Sequence, residues 1–244
     1  MSIQLCGAMV IDRGGDRLEG RLPGRQGRLL LAYLVLNRHR PTGRDELVEA
    51  LWPNALPAAT ESGLNSLISK LRKLLGPGVV DGRSSLRLVL GADDRVDTEV
   101  ATAAVHRAES RIALGEWTKA WAPSLAALFI AEREFLAGEE ATWVLDQRRH
   151  LAEVHVRALE AYALAALGTG GTELPAAVRA GRALVRLMPL RETGYQVVMR
   201  ALAKQGNTAE ALRIYTDLCA TLREELGVSP NASSHAVCDE LLRA

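Results

Sequence analysis

Hydrophobic residues at the start of the chain occur in short runs separated by glycine and charged residues, a pattern typical of strands followed by a helix. Ile3–Ile11 is a short apolar run that ends at the turn Asp12–Asp16. Arg17–Leu22 alternates charged and apolar residues, as an edge strand does. After a loop at Gly24–Gly27, the leucine-rich spacing of Arg28–Asn37 predicts the first helix.

A second helix is predicted shortly after the first. Pro41–Asp45 is typical of a helix start, with Thr42 as the candidate N-cap. The following proline predicts that this helix ends near Trp52. Asn54–Ala59 is then expected to be a loop.

A third helix and a hairpin follow this loop. Thr60–Leu75 has continuous helical apolar spacing, and Gly76–Gly78 stops it. The apolar runs Val79–Val80 and Leu86–Leu90 flank Asp81–Ser85, which predicts a hairpin with a basic tip.

Beyond Asp97 the apolar spacing is helical throughout. Ala177 and Ala211 occupy similar places 34 residues apart, each near the start of a helix that precedes a break and another helix. That period is typical of tetratricopeptide-like helix pairs, although an irregular helical bundle would also give helical spacing. The breaks are predicted at Gly115, Pro123, Gly138, Gly168–Gly171, Pro189, Gly206 and Gly227.

Composition supports a division near Asp97. Residues 1–97 contain 12 Gly and 7 Ala, whereas residues 98–244 contain 9 Gly and 30 Ala, and alanine favours long helices. The net charge of +1 hides a basic first part, with 14 Lys and Arg against 11 Asp and Glu, and an acidic second part, with 16 against 18. Any nucleic-acid site must therefore come from a local patch.

The sequence has no signature of membrane insertion, secretion or metal binding. No apolar stretch reaches 18 residues, and the first residues lack the pattern of a signal peptide. The cysteines Cys6, Cys219 and Cys238 form no CxxC pair, which favours free thiols in a reducing compartment. We therefore expect a cytoplasmic protein with no metal, no cofactor and no membrane partner.

Catalytic motifs are absent from the sequence. It contains no Walker A loop, no GxGxxG and no GxSxG element. His106 and Glu109 could share a helix face, but a solvated polar pair is a simpler interpretation than half of a metal site. The sequence therefore predicts a protein that is not an enzyme.

The third predicted helix has a polar face suited to the DNA major groove. Asparagine can pair with adenine, arginine or lysine with guanine, and serine or lysine with phosphates. Arg72 is accordingly expected to read a base and Lys73 to contact a phosphate. A solvated amphipathic helix would show the same pattern, so the elements on either side of this helix are needed to choose between the two interpretations. The polar positions are Ser62, Asn65, Ser66, Ser69, Lys70, Arg72 and Lys73, with Glu61 as the single acid.

The flanking elements favour DNA binding. A helix, a second helix and a basic hairpin in this order are typical of a winged helix-turn-helix domain. Arg83 and Arg87 of the hairpin are expected to reach the DNA backbone or the minor groove.

Residues 1–97 resemble the DNA-binding domain of the SARP family of bacterial transcriptional activators. The resemblance is carried by Gly27–Leu34 (GRLLLAYL), Asp45–Pro53 (DELVEALWP) and Leu67–Gly76 (LISKLRKLLG). The hairpin departs from the family pattern, because it lacks the usual Gly-Tyr pair.

Residues 98–244 resemble the bacterial transcriptional activation domain of the same family. The matching stretches are Pro189–Glu192, Met199–Leu202, Gly206–Tyr215 (GNTAEALRIY) and Leu222–Pro230 (LREELGVSP). The usual aromatic residue after the aspartate at the domain start is missing here, since Asp97 is followed by Thr-Glu-Val.

This resemblance implies a mainly α protein with two domains. Residues 1–97 are expected to form a winged helix-turn-helix domain of α+β type, and residues 98–244 an all-α, tetratricopeptide-like bundle. The implied function is sequence-specific regulation of transcription, as an activator that binds direct repeats in promoter DNA and contacts RNA polymerase holoenzyme. A second protomer is expected to join on DNA through the helical domain.

The alternative is a protein-interaction module, in which the helical repeats bind a partner and the winged helix no longer binds DNA.

If the winged helix does bind DNA, the residues expected at the DNA are Arg25, Arg28, Arg44, Ser62, Asn65, Ser66, Ser69, Lys70, Arg72, Lys73, Arg83, Ser84 and Arg87.

Overall fold

The computed structural model describes residues 1–53 and 59–243, which form two compact units. The first unit combines Met1–Glu99 with Arg133–Leu151, and the second combines Val100–Glu132 with Ala152–Ala244. The predicted loop at Asn54–Ala59 lies outside the described residues except for Ala59.

The first unit mixes short strands with helices. Its strands are β1 (Ser2–Gln4), β2 (Val10–Arg13), β3 (Asp16–Arg17), β4 (Thr42–Gly43), β5 (Val80–Asp81), β6 (Ser85–Leu88) and β7 (Arg95–Val96). The helices are α1 (Gly24–Leu36), α2 (Arg44–Leu51) and α3 (Thr60–Leu75).

These strands form two small sheets. The first has the order β3-β2-β1-β7, with β1 antiparallel to β2 and parallel to β7, so that Ile3 lies opposite both Ile11 and Val96. The second has the order β4-β6-β5, in which β5 and β6 form the predicted hairpin and Val80 lies opposite Leu88. The second sheet therefore attaches the hairpin to the strand that precedes α2.

The third helix has the predicted bounds, but α1 begins earlier than expected. Residues 24–27 are its first turn, where the Gly27 amide donates to the Pro23 carbonyl oxygen over 3.1 Å. The prediction of a strand over Arg17–Leu22 is wrong beyond Arg17, because a single 3-10 turn forms at Glu19–Arg21.

The prediction that Thr42 caps the second helix is also wrong. Thr42 is fully buried in β4 opposite Leu86, and Gly43 occupies the N-cap position of α2. Pairing with the hairpin strand thus decides the conformation of Thr42, a contact over more than forty residues that local helix signals do not encode.

Residues 133–151 complete the first unit although they come after two further helices. Phe135 is 1% exposed and forms a β-bridge with Cys6. The Leu136 amide donates to the Leu5 carbonyl oxygen (3.1 Å), and the Gly7 amide donates to that of Glu134 (2.8 Å). The segment thereby pairs with the chain just after β1.

The second unit is helical. Its helices are α4 (Asp97–Ala113), α5 (Trp117–Ala131), α6 (Thr142–Thr169), α7 (Leu174–Leu187), α8 (Glu192–Lys204), α9 (Thr208–Leu226) and α10 (Ala232–Arg243), of which α4 and α6 begin with residues of the first unit. Pro123 lies inside α5, so the break predicted there is wrong. Ala120 and Ala127, both fully buried, anchor α5 on either side of this proline.

Helices α7 to α10 pack as consecutive hairpins around small residues. Ala177 in α7 and Ala211 in α9, the two positions 34 residues apart, are both fully buried. Helices α7 and α8 approach each other closely, since a Cβ on Gly181 would lie 3.1 Å from the Gly194 carbonyl oxygen. None of the described helices is both long and apolar enough to cross a bilayer.

Candidate nucleic-acid interface

Helix α3 buries one side and exposes the other. Leu64, Ile68, Leu71 and Leu75 are buried, as expected from the apolar spacing. The opposite side is exposed and carries Ser62, Asn65, Ser66, Ser69, Lys70 and Lys73. Hydroxyl, amide and ammonium groups therefore lie together on one helix surface, and we call these six residues the polar face.

The end of α3 is fixed by a contact that sequence reasoning missed. Gly76 follows the helix with φ = +87°, a conformation that favours glycine. The Arg13 guanidinium donates to the Leu75 carbonyl oxygen over 2.9 Å. A cation at a helix C-terminus is favourable because the carbonyl groups there carry partial negative charge.

Arg44 connects α2 to the polar face. Its guanidinium donates to the Glu61 carboxylate (2.9 Å) and to Asn65 Oδ1 (2.7 Å), and its side chain is 23% exposed. Its Nη1 also lies 3.4 Å from the Arg83 carbonyl oxygen. Arg44 thus neutralises the single acid of α3 and orients the Asn65 amide.

Arg72 does not lie with the polar face. Its side chain is half-buried, its Nε donates to the Val80 carbonyl oxygen (3.1 Å), and its Nη2 donates to that of Gly82. Both acceptors belong to the β5–β6 hairpin, which we call the wing. The Arg72 side chain therefore faces the wing.

The wing presents its own exposed cations. Arg83, Ser84 and Arg87 are exposed around the tip of the β5–β6 hairpin. Gly82 has φ = +94°, and a Cβ there would lie 1.9 Å from the Ser85 carbonyl oxygen, so the turn requires glycine.

The cations of the polar face and the wing keep their charges free. Within the described part of the chain, Lys70, Lys73, Arg83 and Arg87 form no ion pair with an acidic side chain. Four unpaired cations on adjacent elements create the local positive patch that the near-zero net charge had hidden.

Arg25 and Arg28 lie elsewhere in the first unit. Arg25 pairs with Glu139, with Nε 2.8 Å and Nη2 2.6 Å from the carboxylate. Arg28 lines a cleft of about 310 Å³ together with Met9 and Leu136. The structure therefore does not bring these two arginines together with the polar face.

Polar clusters in the second unit have structural explanations. Arg157 donates two hydrogen bonds to Glu109 and holds the pKa of that carboxyl below its usual range. Burial lowers the pKa of His155. Among the described residues, no group of His, Cys, Asp and Glu has an arrangement that could hold a metal ion.

Comparison with known proteins identifies the family. Residues 96–242 match the bacterial transcriptional activator domain, and residues 21–84 match the domain described as transcriptional regulatory protein, C terminal. The first of these matches covers more than half of the chain. The chain therefore belongs to the SARP family of bacterial transcriptional activators, and its members are regulators rather than enzymes.

Individual relatives are longer than this chain. Regulatory protein AfsR of Streptomyces coelicolor is 33% identical over 95% of this chain, which spans 23% of that protein. Transcriptional regulatory protein EmbR of Mycobacterium tuberculosis is 31% identical over 88% of this chain, which spans 57% of it. The chain thus covers about a quarter of the first relative and somewhat more than half of the second.

A solved structure of EmbR confirms the predicted fold class. That structure, of Mycobacterium tuberculosis EmbR in complex with a low affinity phosphopeptide, has a TM-score of 0.79 and 28% sequence identity. The similarity covers 99% of this chain and 65% of the EmbR chain. A winged helix-turn-helix unit and a helical unit are therefore the shared architecture.

Proposed function

We propose that this protein is a sequence-specific DNA-binding activator of transcription. Residues 1–97 would supply the DNA-reading surface, and residues 98–244 would contact RNA polymerase holoenzyme and a second protomer bound to an adjacent promoter repeat. The site of action would be the bacterial cytoplasm, on the nucleoid.

One observation carries this proposal. The polar face of α3 and the wing together expose Lys70, Lys73, Arg83 and Arg87, which have no acidic partner among residues 1–53 and 59–243, and Arg44 pairs with the carboxylate of Glu61. A surface of this kind attracts the phosphate backbone, while Asn65, Ser66 and Ser69 can reach base edges when α3 enters the major groove.

The pairings of the arginines refine which residues we place at the DNA. Phosphate contacts are assigned to Lys70, Lys73, Arg83 and Arg87, and base contacts to Asn65, Ser66 and Ser69. Ser62 and Ser84 flank these groups at the ends of the surface. Arg25 and Arg28 are left outside, because Arg25 is already paired with Glu139.

Salt dependence of DNA binding tests the proposal. Fluorescence anisotropy with promoter fragments should show a logarithmic affinity that falls with logarithmic salt, with a slope of about −0.9 per phosphate neutralised. Lys73→Ala should reduce the slope by about 1. Lys204→Ala, which also removes an exposed lysine, here from the end of α8, should leave the slope unchanged.

Two outcomes would contradict the proposal. If the wild-type chain binds no promoter fragment at low salt, the helical protein-interaction module becomes the better description. If Lys73→Ala and Lys204→Ala change the slope equally, the polar face is not the contact surface.

A further inference from the structure

Arg72 holds the wing by its backbone. The guanidinium donates to the carbonyl oxygens of Val80 and Gly82, one at each side of Asp81. Hydrogen bonds from a charged donor are stronger than those between neutral groups, and the planar guanidinium fixes the direction of both. The two contacts therefore set the distance between α3 and the wing turn.

The turn of the wing lies beyond the paired positions of its strands, which end at Asp81 in β5 and begin at Ser85 in β6. Val80, Leu86 and Leu88 are buried, whereas Arg83 and Ser84 at the tip are exposed. A cleft of about 340 Å³ separates the end of α3 from this turn, with Pro77, Gly78 and Asp81 in its lining. Side-chain packing therefore does not support the turn on that side.

A second arginine approaches the same turn from α2. Arg44 Nη1 lies 3.4 Å from the carbonyl oxygen of Arg83, which is the residue that follows Gly82. The same guanidinium binds Glu61 and Asn65. The wing turn is thus linked through polar contacts to both helices of the helix-turn-helix, with Arg72 making the two shorter contacts.

We propose that Arg72 is a positioning residue that holds the wing at the spacing DNA requires, and that it does not read a base. This inference rests on the proposed DNA-binding function. With the turn fixed, Arg83 and Arg87 can reach the backbone while α3 occupies the major groove. The inference replaces the sequence-based expectation that Arg72 pairs with guanine, since its Nε and Nη2 already donate to carbonyl oxygens of the wing and turn the guanidinium towards the hairpin.

Hydrogen exchange of the free full-length chain tests the tether without DNA. Arg72→Ala should accelerate amide exchange in peptides covering residues 80–88 by on the order of tenfold. Arg72→Lys, which keeps the charge but not the planar fork, should give an intermediate increase. Lys73→Ala, the neighbouring residue on the polar face, should leave these peptides unchanged, and peptides from α1, in the same unit as Arg72, should report an intact fold in each variant.

DNA binding then distinguishes positioning from base reading. Arg72→Ala should lower the affinity for all sequences by the same factor, without relaxing the preference at any one base pair. Adding Arg83→Ala to Arg72→Ala should cost less than Arg83→Ala alone, because the wing is already displaced. Adding it to Lys73→Ala should cost as much as Arg83→Ala alone.

The inference is overturned if Arg72→Ala relaxes the preference at one base pair, or if wing exchange does not change. The proposed function fails separately, if the wild-type chain binds no DNA. In that case the exchange measurement still decides whether Arg72 holds the wing.

Discussion

Trp143 Nε1 donates a hydrogen bond of 3.1 Å to the carbonyl oxygen of Ala50, 93 residues earlier in the chain. The indole also lies edge-on to the Tyr33 ring, with ring centroids 5.1 Å apart and an interplanar angle of 83°. Phe135 lies next to the Trp143 indole, with ring centroids 6.3 Å apart. A segment within the matched activator domain therefore contributes aromatic residues to the unit that carries the polar face.

Truncation of Phe135 should destabilise the first unit selectively. Phe135→Ala removes a side chain that is 1% exposed and should cost about 3–5 kcal/mol. Hydrogen exchange should therefore rise in residues 1–53, while peptides from α7 to α10 stay protected. Leu218→Ala, at a fully buried position of α9, is the matched control. It should raise exchange in α7 to α10 and leave residues 1–53 protected. Equal loss of protection everywhere would contradict the division into units.

Asp97 joins the start of α4 to the residues directly after β1. Its carboxylate accepts hydrogen bonds from the amides of Leu5 (3.0 Å), Cys6 (2.9 Å) and Thr98 (2.9 Å). Asp97→Asn should cost about 1–3 kcal/mol, since an amide nitrogen would face at least one of these donors. Urea denaturation followed by circular dichroism measures the change. Asp93→Asn, on an exposed neighbouring aspartate, should have no effect, and equal midpoints for both variants would refute the role of Asp97.

Glycine at position 181 permits the close crossing of α7 and α8. A Cβ there would lie 2.7 Å from Val198 Cγ2 and 3.1 Å from the Gly194 carbonyl oxygen. Gly181→Ala should therefore destabilise the protein by about 1–3 kcal/mol, although alanine is the better helix former. Among the described residues, a Cβ on Gly63 in α3 would meet only Trp52, at 4.0 Å, so Gly63→Ala should stabilise by up to about 1 kcal/mol. Thermal unfolding that ranks the two variants in the opposite order would contradict this account.

The pairing of Glu46 makes stability sensitive to acid. Arg40 and the Tyr33 hydroxyl donate to its carboxylate, and the arginine lowers the pKa of Glu46 to about 2. Because this value lies below the unfolded value of about 4.3, the pairing stabilises the folded state at neutral pH, and that contribution disappears as the pH falls through the folded-state pKa.

Glu46→Gln should therefore lower the unfolding free energy at pH 7 and lose less stability than the wild type between about pH 5 and pH 2. Urea titrations at a series of pH values measure the unfolding free energy of each variant and how it changes with pH. Glu49→Gln on the same helix is the matched control and should follow the wild-type curve. Parallel curves for Glu46→Gln and the wild type would show that the ion pair does not contribute.

Local periodicity determined the elements that carry the candidate site. The spacing of Leu64, Ile68, Leu71 and Leu75 predicts both the bounds of α3 and its exposed side, because the pitch of a helix converts sequence spacing directly into a face. The glycine-flanked runs around Asp81–Ser85 predicted the hairpin for the same reason, since turn geometry depends on adjacent residues. The order of these elements was enough to predict the winged helix-turn-helix.

Tertiary structure alone decided which side chains remain free for a partner. Arg72 and Lys73 are neighbours with equal charge, yet Arg72 binds wing carbonyl groups and Lys73 is exposed. The place of Phe135 and Trp143 in the first unit, and the burial of Thr42 in β4, likewise depend on contacts across long stretches of chain. Such contacts form only when the elements pack, so the spacing of residues along one element does not record them.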